Sequence, residues 1–173
     1  MGDAGRAAEL HHLVHGIPPT WNERSRVLVL GSFPSPKSRE GGFNYGHPQN
    51  RFWRVVSTLA GEALPTMNDE KRDLCLRRGI ALWDVVAECD IRGASDASIR
   101  NAQANRLSLI THAAPIEAVF CTGAKAHELY LRLGCEQECG MTATRLPSTS
   151  PANAACSFDQ LLEAYAVVFE HLR

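Results

Sequence analysis

Apolar, β-branched runs alternating with longer segments of helical period predict an α/β fold, a three-layer αβα sandwich on a four-stranded, mainly parallel sheet. Three observations carry this. In "RVLVLG" apolar residues follow one another without strict alternation, as in a strand covered on both faces. Four such strand segments are separated by stretches long enough for the crossovers that parallel neighbours require. The 173 residues, 45% of them hydrophobic, suffice for one core of this kind.

The elements follow in order. Residues 1–15 read as a flexible N-terminal segment in which "HHLVH" is incidental, and residues 16–173 as a single domain. "GIPPTWNERS" is an extended lead-in, since paired prolines disfavour helix. "RVLVLG" is the first strand, and the long polar stretch from Gly31 to Trp53, dense in glycine, proline and aromatics, leaves its end. Phe52, Val55, Val56 and Leu59 then repeat at helical spacing up to Gly61, which puts Asn50 at the N-cap. "NDEKRDLCLRRG" is a helix with Asp69 and Glu70 in its first turn and Arg77 and Arg78 in its last, as the helix dipole favours. "GIALWDVV" is the second strand, "ANRLSLITHA" a helix, "IEAVFCTG" the third strand and "AKAHELYLRLG" a helix with Ala126, Leu129, Tyr130 and Leu133 on one face. "TATRLPSTSPANA" is a fourth strand breaking into a Pro-bounded loop. The last helix opens on Ser157 and Gln160 in capping-box spacing, with Phe158, Leu161, Leu162, Tyr165, Val168, Phe169 and Leu172 as its buried stripe.

Composition narrows the function classes. A net charge of -1 and a pI near 6.6 speak against a uniformly basic polyanion binder, although a local basic rim would not show in a total. Six cysteines without a signal-peptide pattern read as reduced thiols of an intracellular, cytoplasmic protein, and no apolar run approaches a membrane span. Cys135 and Cys139 lack a second close pair, so no metal site is expected. In parallel sheets ligands bind beyond the C-terminal strand ends. Three polar segments fall there, "GSFPS", "DVVAECDIRGASDASI" and "LPSTSPANA", and they are expected to converge.

"VLVLGSFPS", "GFNYGHPQNRFW", "GIALWDVV" with "IRGASDASI", "FCTGAKAHELY" and "LPSTSPANA", in that order, resemble the hypoxanthine-DNA glycosylases of the uracil-DNA glycosylase superfamily. The resemblance runs from about Gly16 to the C-terminus. It implies one αβα domain that flips a deaminated base, most simply hypoxanthine of deoxyinosine, out of DNA and hydrolyses its N-glycosidic bond without cofactor or metal. DNA carrying such a base is the partner implied, and a monomer is expected. Relatives keep an acid or amide at the third position of the motif after the first strand, where this chain has Phe33 between Ser32 and Pro34. The polar catalytic group must then come from elsewhere, and Asn50 is the residue matched to the essential amide, with Asn44 as the alternative.

An amide orients a water through its oxygen or donates to a departing base through its nitrogen. Asn50 as a plain helix cap is the competing reading. Gly31, Ser32, Phe33, Pro34, Phe43, Asn44, Tyr45, His47 and Asp84 are assigned to the base pocket: rings to stack on the flipped base, His47 to polarise it or contact phosphate, Asp84 to bind it or balance positive charge on the sugar. Core packing is the alternative for Phe43, and capping for Asp84. Ser35, Lys37, Arg39, Arg51, Ser148, Thr149, Ser150, Pro151 and Asn153 are assigned to DNA contact, with Pro151 or Asn153 filling the gap left by the base. Asp96 and Ser95 read as a helix cap. No lysine stands where bifunctional relatives carry a nucleophile, so hydrolysis without strand cleavage is expected. Uracil is the rival substrate. A catalytically inert sensor of damaged DNA is the rival class.

Overall fold

The computed structural model describes residues 9–173; most of the expected flexible N-terminal segment, residues 1–8, lies outside them. The chain opens with β1 (Leu10–Val14) and β2 (Val27–Gly31), passes through a short α1 (Pro36–Gly41), and continues with α2 (Phe52–Ala60), α3 (Asn68–Arg78) and β3 (Ile80–Asp84). Then come β4 (Val86–Arg92), β5 (Ser95–Ala104), α4 (Ser108–Thr111), β6 (Ala118–Thr122) and α5 (Ala124–Arg132). A short α6 (Cys135–Cys139), β7 (Ala143–Leu146) and α7 (Phe158–Glu170) complete it.

The main sheet has the order β3-β2-β6-β7, with every pairing parallel. This is the sheet expected from the four apolar runs. β2 is buried along its whole length, and its alternate residues serve two cores. Val27 and Val29 face α2, α3 and α7, while Leu28 and Leu30 face the opposite layer, where Ala126, Leu129 and Tyr130 of α5 pack. Burying four such side chains contributes about 1.5–3 kcal/mol each, which is why this run is so uniformly apolar.

Local signals set the helix ends. Gly61 and Gly79 adopt left-handed φ of 67° and 76° and close α2 and α3. Ser157 Oγ accepts the Gln160 N–H while Gln160 Oε1 accepts the Ser157 N–H, the expected capping box.

Three expectations are corrected. Residues 10–14 are a strand, β1, paired antiparallel with β4 from Leu10 opposite Arg92 to Val14 opposite Glu88. The segment after β3, read as a ligand loop with a helix cap at Ser95 and Asp96, is the β4-β5 hairpin, and both residues begin β5. Cys89, Ile91 and Ile99 on these strands are buried in the main core, so the second layer is a three-stranded sheet, β1-β4-β5, together with α4 to α6. The helix expected over "ANRLSLITHA" shrinks to the single turn of α4, because β5 runs on to Ala104.

Candidate active site

The order of the main sheet decides where a ligand sits. From β2 the chain crosses to β3 on one side and later reaches β6 on the other, so a crevice opens beyond β2 at the switch of direction. A cleft of about 1180 Å³ occupies that place. The C-terminal ends of all four strands reach it, through Gly31, Asp84, Thr122 and the loop after β7. The three segments expected to converge do so.

Asp84 ends β3 with its carboxylate buried. Its Oδ2 accepts from His15 Nε2 at 2.7 Å and from Asn44 Nδ2 at 3.0 Å. Its Oδ1 lies over Gly31, where a Cβ would come within 2.4 Å, so the close approach of β2 to this carboxylate requires glycine. Asn44 Oδ1 is buried without a partner among the described residues. Asn44 Oδ1 is thus a buried acceptor that calls for a donor, and Asp84 Oδ1 beside it accepts no hydrogen bond among the described residues.

Tyr45 forms a wall. Among the described residues it is one of two non-glycine residues with a left-handed φ, 54°, a conformation costing roughly 1–3 kcal/mol for a bulky residue. The ring is locked by stacking on Phe52 at 3.8 Å and 11°. Its hydroxyl donates to Thr122 Oγ1 at 2.9 Å, and Thr122 passes a bond to the Leu30 carbonyl. Burial, with Asp84 nearby, raises the Tyr45 phenol well above its usual range, so it is a neutral donor. Phe33 also lines the cleft, with the His15 ring edge-on at 6.0 Å.

Asn50 sits at the rim. The helix cap position falls on Arg51, yet Asn50 Oδ1 accepts the Phe52 N–H at 2.9 Å and the Thr149 hydroxyl at 2.8 Å. A backbone N–H only donates, so this end of the amide is the oxygen and both its lone pairs are taken. The Nδ2 group has no partner among the described residues, and Asn50 lines the cleft. His47 accepts the Gln49 N–H on Nδ1, which leaves Nε2 to carry the hydrogen of the neutral ring.

Gly31, Ser32, Phe33, Pro34, Ser35, Asn44, Tyr45, His47, Asn50 and Asp84 all line this cleft, as do Ser148, Thr149, Ser150, Pro151 and Asn153. Four assignments change. Phe43 turns away into the core against Trp53 and is absent from the cleft. Arg51, expected on phosphate, donates instead to the carbonyls of Ser150, Asn153 and Cys156 and so ties down the loop after β7. Thr149 is buried and holds Asn50 rather than facing outward. Arg39 lays its guanidinium over Phe33 at 5.8 Å, with one nitrogen buried. Lys37 remains exposed, near Glu40. Asn153 bonds back to the Ser148 carbonyl, leaving Pro151 and Ala152 as the exposed tip of the loop.

Several residues of the site escaped the sequence reading. Thr122 and Arg145 lie at the C-terminal ends of β6 and β7 and line the cleft, while His15, outside the lining but bonded to Asp84, follows β1 in a segment whose sequence reads as loose. Asp96 accepts from Ser32 Oγ at 2.7 Å. Burial raises its carboxyl above the usual range, Ser32 opposes this, and the charge of Asp84 adds to it. The alternation of Cys89 and Ile91 was the available signal for the hairpin that carries Asp96. Among the described residues no group of three or more His, Cys, Asp or Glu side chains is arranged to hold a metal ion. The Cys121 and Cys135 thiols are pushed up to about 12 by burial.

Residues 18–173 match the family described as the Uracil DNA glycosylase superfamily. The chain belongs to the uracil DNA glycosylase superfamily. A protein named Hypoxanthine DNA glycosylase from Methanosarcina acetivorans is 34% identical over 158 residues, covering 90% of this chain and 98% of that protein. Another of the same name from Methanosarcina barkeri is 36% identical over 115 residues, 65% of this chain and 73% of that one. A solution NMR structure from Methanosarcina acetivorans, provisionally described as a uracil DNA glycosylase, superposes with a TM-score of 0.77 at 32% identity, covering 91% of this chain and 97% of that one. The superfamily fixes the chemistry in outline: the chain is a monofunctional DNA N-glycosylase, and its substrate is DNA.

Proposed function

We propose that this glycosylase releases hypoxanthine from deoxyinosine in DNA. The observation that carries the reading is the Asp84 carboxylate at the cleft, with Oδ2 bonded to His15 and Asn44 and Oδ1 left over. Deamination of adenine turns ring N1 from an acceptor into an N–H donor beside a new carbonyl. A fixed acceptor therefore binds hypoxanthine and leaves adenine facing it lone pair to lone pair, and a buried polar mismatch of this kind discriminates strongly. The names of the two Methanosarcina relatives support the same substrate.

Catalysis follows from the amide of Asn50. Its oxygen is committed to Phe52 and Thr149, so it orients no water; its Nδ2 donates to the departing purine as negative charge builds there. Leaving-group stabilisation of this kind suits a site in which the usual acid or amide is replaced by Phe33. The Tyr45 and Phe33 rings stack on the extruded base, and His47 offers Nε2–H at the rim to base or phosphate. Arg145, exposed at the cleft and without an ion-pair partner among the described residues, supplies phosphate attraction with Lys37.

Uracil carries a comparable ring N–H beside a carbonyl, so Asp84 admits it too, and it is the second reading. Single-turnover release from duplexes carrying deoxyinosine, deoxyuridine or deoxyadenosine separates them. Deoxyinosine is expected to react fastest and deoxyadenosine not at all. Faster release of uracil would replace the substrate, and binding without release from any duplex would contradict the reading.

A further inference from the structure

We infer that His15, carried in by the N-terminal strand, is a positioning residue of the base pocket; this rests on the reading of Asp84 as the group that accepts the ring N–H of the base. His15 is a histidine where packing alone would be served by an apolar residue. Its side chain is 3% exposed and that of Asp84 6%. The hydrogen-bond pattern fixes the ring. Nδ1 accepts the Ile17 N–H at 3.2 Å, so Nε2 bears the proton and donates it to Asp84 Oδ2 at 2.7 Å. The ring edges meet Phe33 at 6.0 Å and Trp83 at 6.4 Å, so the imidazole supports an aromatic wall and the carboxylate together.

The backbone explains how a residue far away in sequence reaches this point. β1 pairs with β4, the His15 N–H continues that ladder to the Ala87 carbonyl at 2.6 Å, and β4 leaves directly from the end of β3 after Asp84. The strand register that closes the small sheet therefore delivers the imidazole to the carboxylate.

A carboxylate held by Asn44 alone is free to turn about its last bond and offer either oxygen. With two donors on Oδ2 the rotation is blocked, and Oδ1 is the oxygen left to the base. This is support of a reacting geometry through a second residue, and its loss acts on placement rather than on the fold.

The test is His15→Phe, which keeps a ring between Phe33 and Trp83 but has no N–H, compared with His15→Gln, whose amide nitrogen reaches Asp84 as a donor. Two quantities are read: single-turnover base release from a deoxyinosine duplex, and the dissociation constant for a duplex carrying a tetrahydrofuran in place of the nucleotide, which offers Asp84 no base. Release by His15→Phe is expected to slow by about tenfold to a hundredfold, with the affinity for the baseless duplex near that of the wild type and His15→Gln recovering most of the rate. Parallel loss of rate and baseless-duplex affinity, or unchanged release, would overturn the positioning role. Should His15→Phe fail to fold, His15→Gln carries the comparison, because loss of release there despite an intact donor contradicts the inference. Absence of any base release by the wild-type chain would instead remove the substrate reading beneath it, and the inference with it.

Discussion

Asn50 illustrates how one side chain serves both fold and reaction. Its oxygen takes the Phe52 N–H, the kind of local bond that makes Asn common at helix starts, and the Thr149 hydroxyl clamps the same atom from the far loop. The amide plane is set by these two bonds, and with it the direction of Nδ2. Thr149→Val keeps the shape of the buried side chain and removes one donor. Base release is expected to fall by about tenfold, the equivalent of one ordinary hydrogen bond of roughly 1.4 kcal/mol, with little change in DNA affinity. Single-turnover rates and a binding isotherm measured on the same duplex check this split. A fall in affinity with an unchanged rate would return Thr149 to the DNA-contact role first expected of it.

Among the elements, the loop after β7 shows what the sequence reveals and what it hides. Its Ser and Pro residues announced a turn, and Ser150 to Asn153 form one, with the Asn153 N–H on the Ser150 carbonyl. What held the loop was invisible, because Arg51 lies about a hundred positions away and an arginine beside a pocket reads as a phosphate ligand until its donors are seen on three carbonyls. The same limit hid His15: strand β1 was too short and too polar, as "LHHLV", to register as a strand, and only pairing with β4 gave it one. By contrast β2, β3, β6 and α7 were legible, since burial on both faces or along a helical stripe writes itself into consecutive residues. Asp84 and Tyr45 were legible as pocket residues because they leave strand ends or sit in the Gly/Pro stretch, while Phe43, two residues from Tyr45, could not be sorted from it without the backbone turn at Tyr45. Salt dependence separates the two arginines of this region. Arg145→Ala is expected to reduce the slope of log affinity against log salt by about 1, whereas Arg51→Met weakens binding through the loop and leaves the slope in place. Titrations of a duplex at several salt concentrations read both.

At the scale of the whole molecule, a chain of net charge -1 binds a polyanion through a shaped edge rather than an overall field, and the acidic groups inside that edge leave a mark on stability. Asp96 has a raised carboxyl pKa, caused first by burial. The folded state holds this proton more tightly than the unfolded chain, so the contribution of the group is present at low pH and is lost as pH rises through the folded pKa. Asp96→Asn, which still accepts from Ser32, is therefore expected to melt above the wild type at neutral pH, with the gap closing as pH falls toward the ordinary carboxylate range. Thermal melts across pH test this, and a gap independent of pH would contradict it. The most direct test of the central claim is single-turnover base release from a deoxyinosine duplex by wild type, Asn50→Ala and Asn50→Asp. The aspartate retains an acceptor for Phe52 and Thr149 but has no N–H. Both variants are predicted to lose about a hundredfold or more in rate. An Asn50→Asp variant as fast as the wild type would contradict a donor role, and an undiminished Asn50→Ala would return the residue to capping its helix.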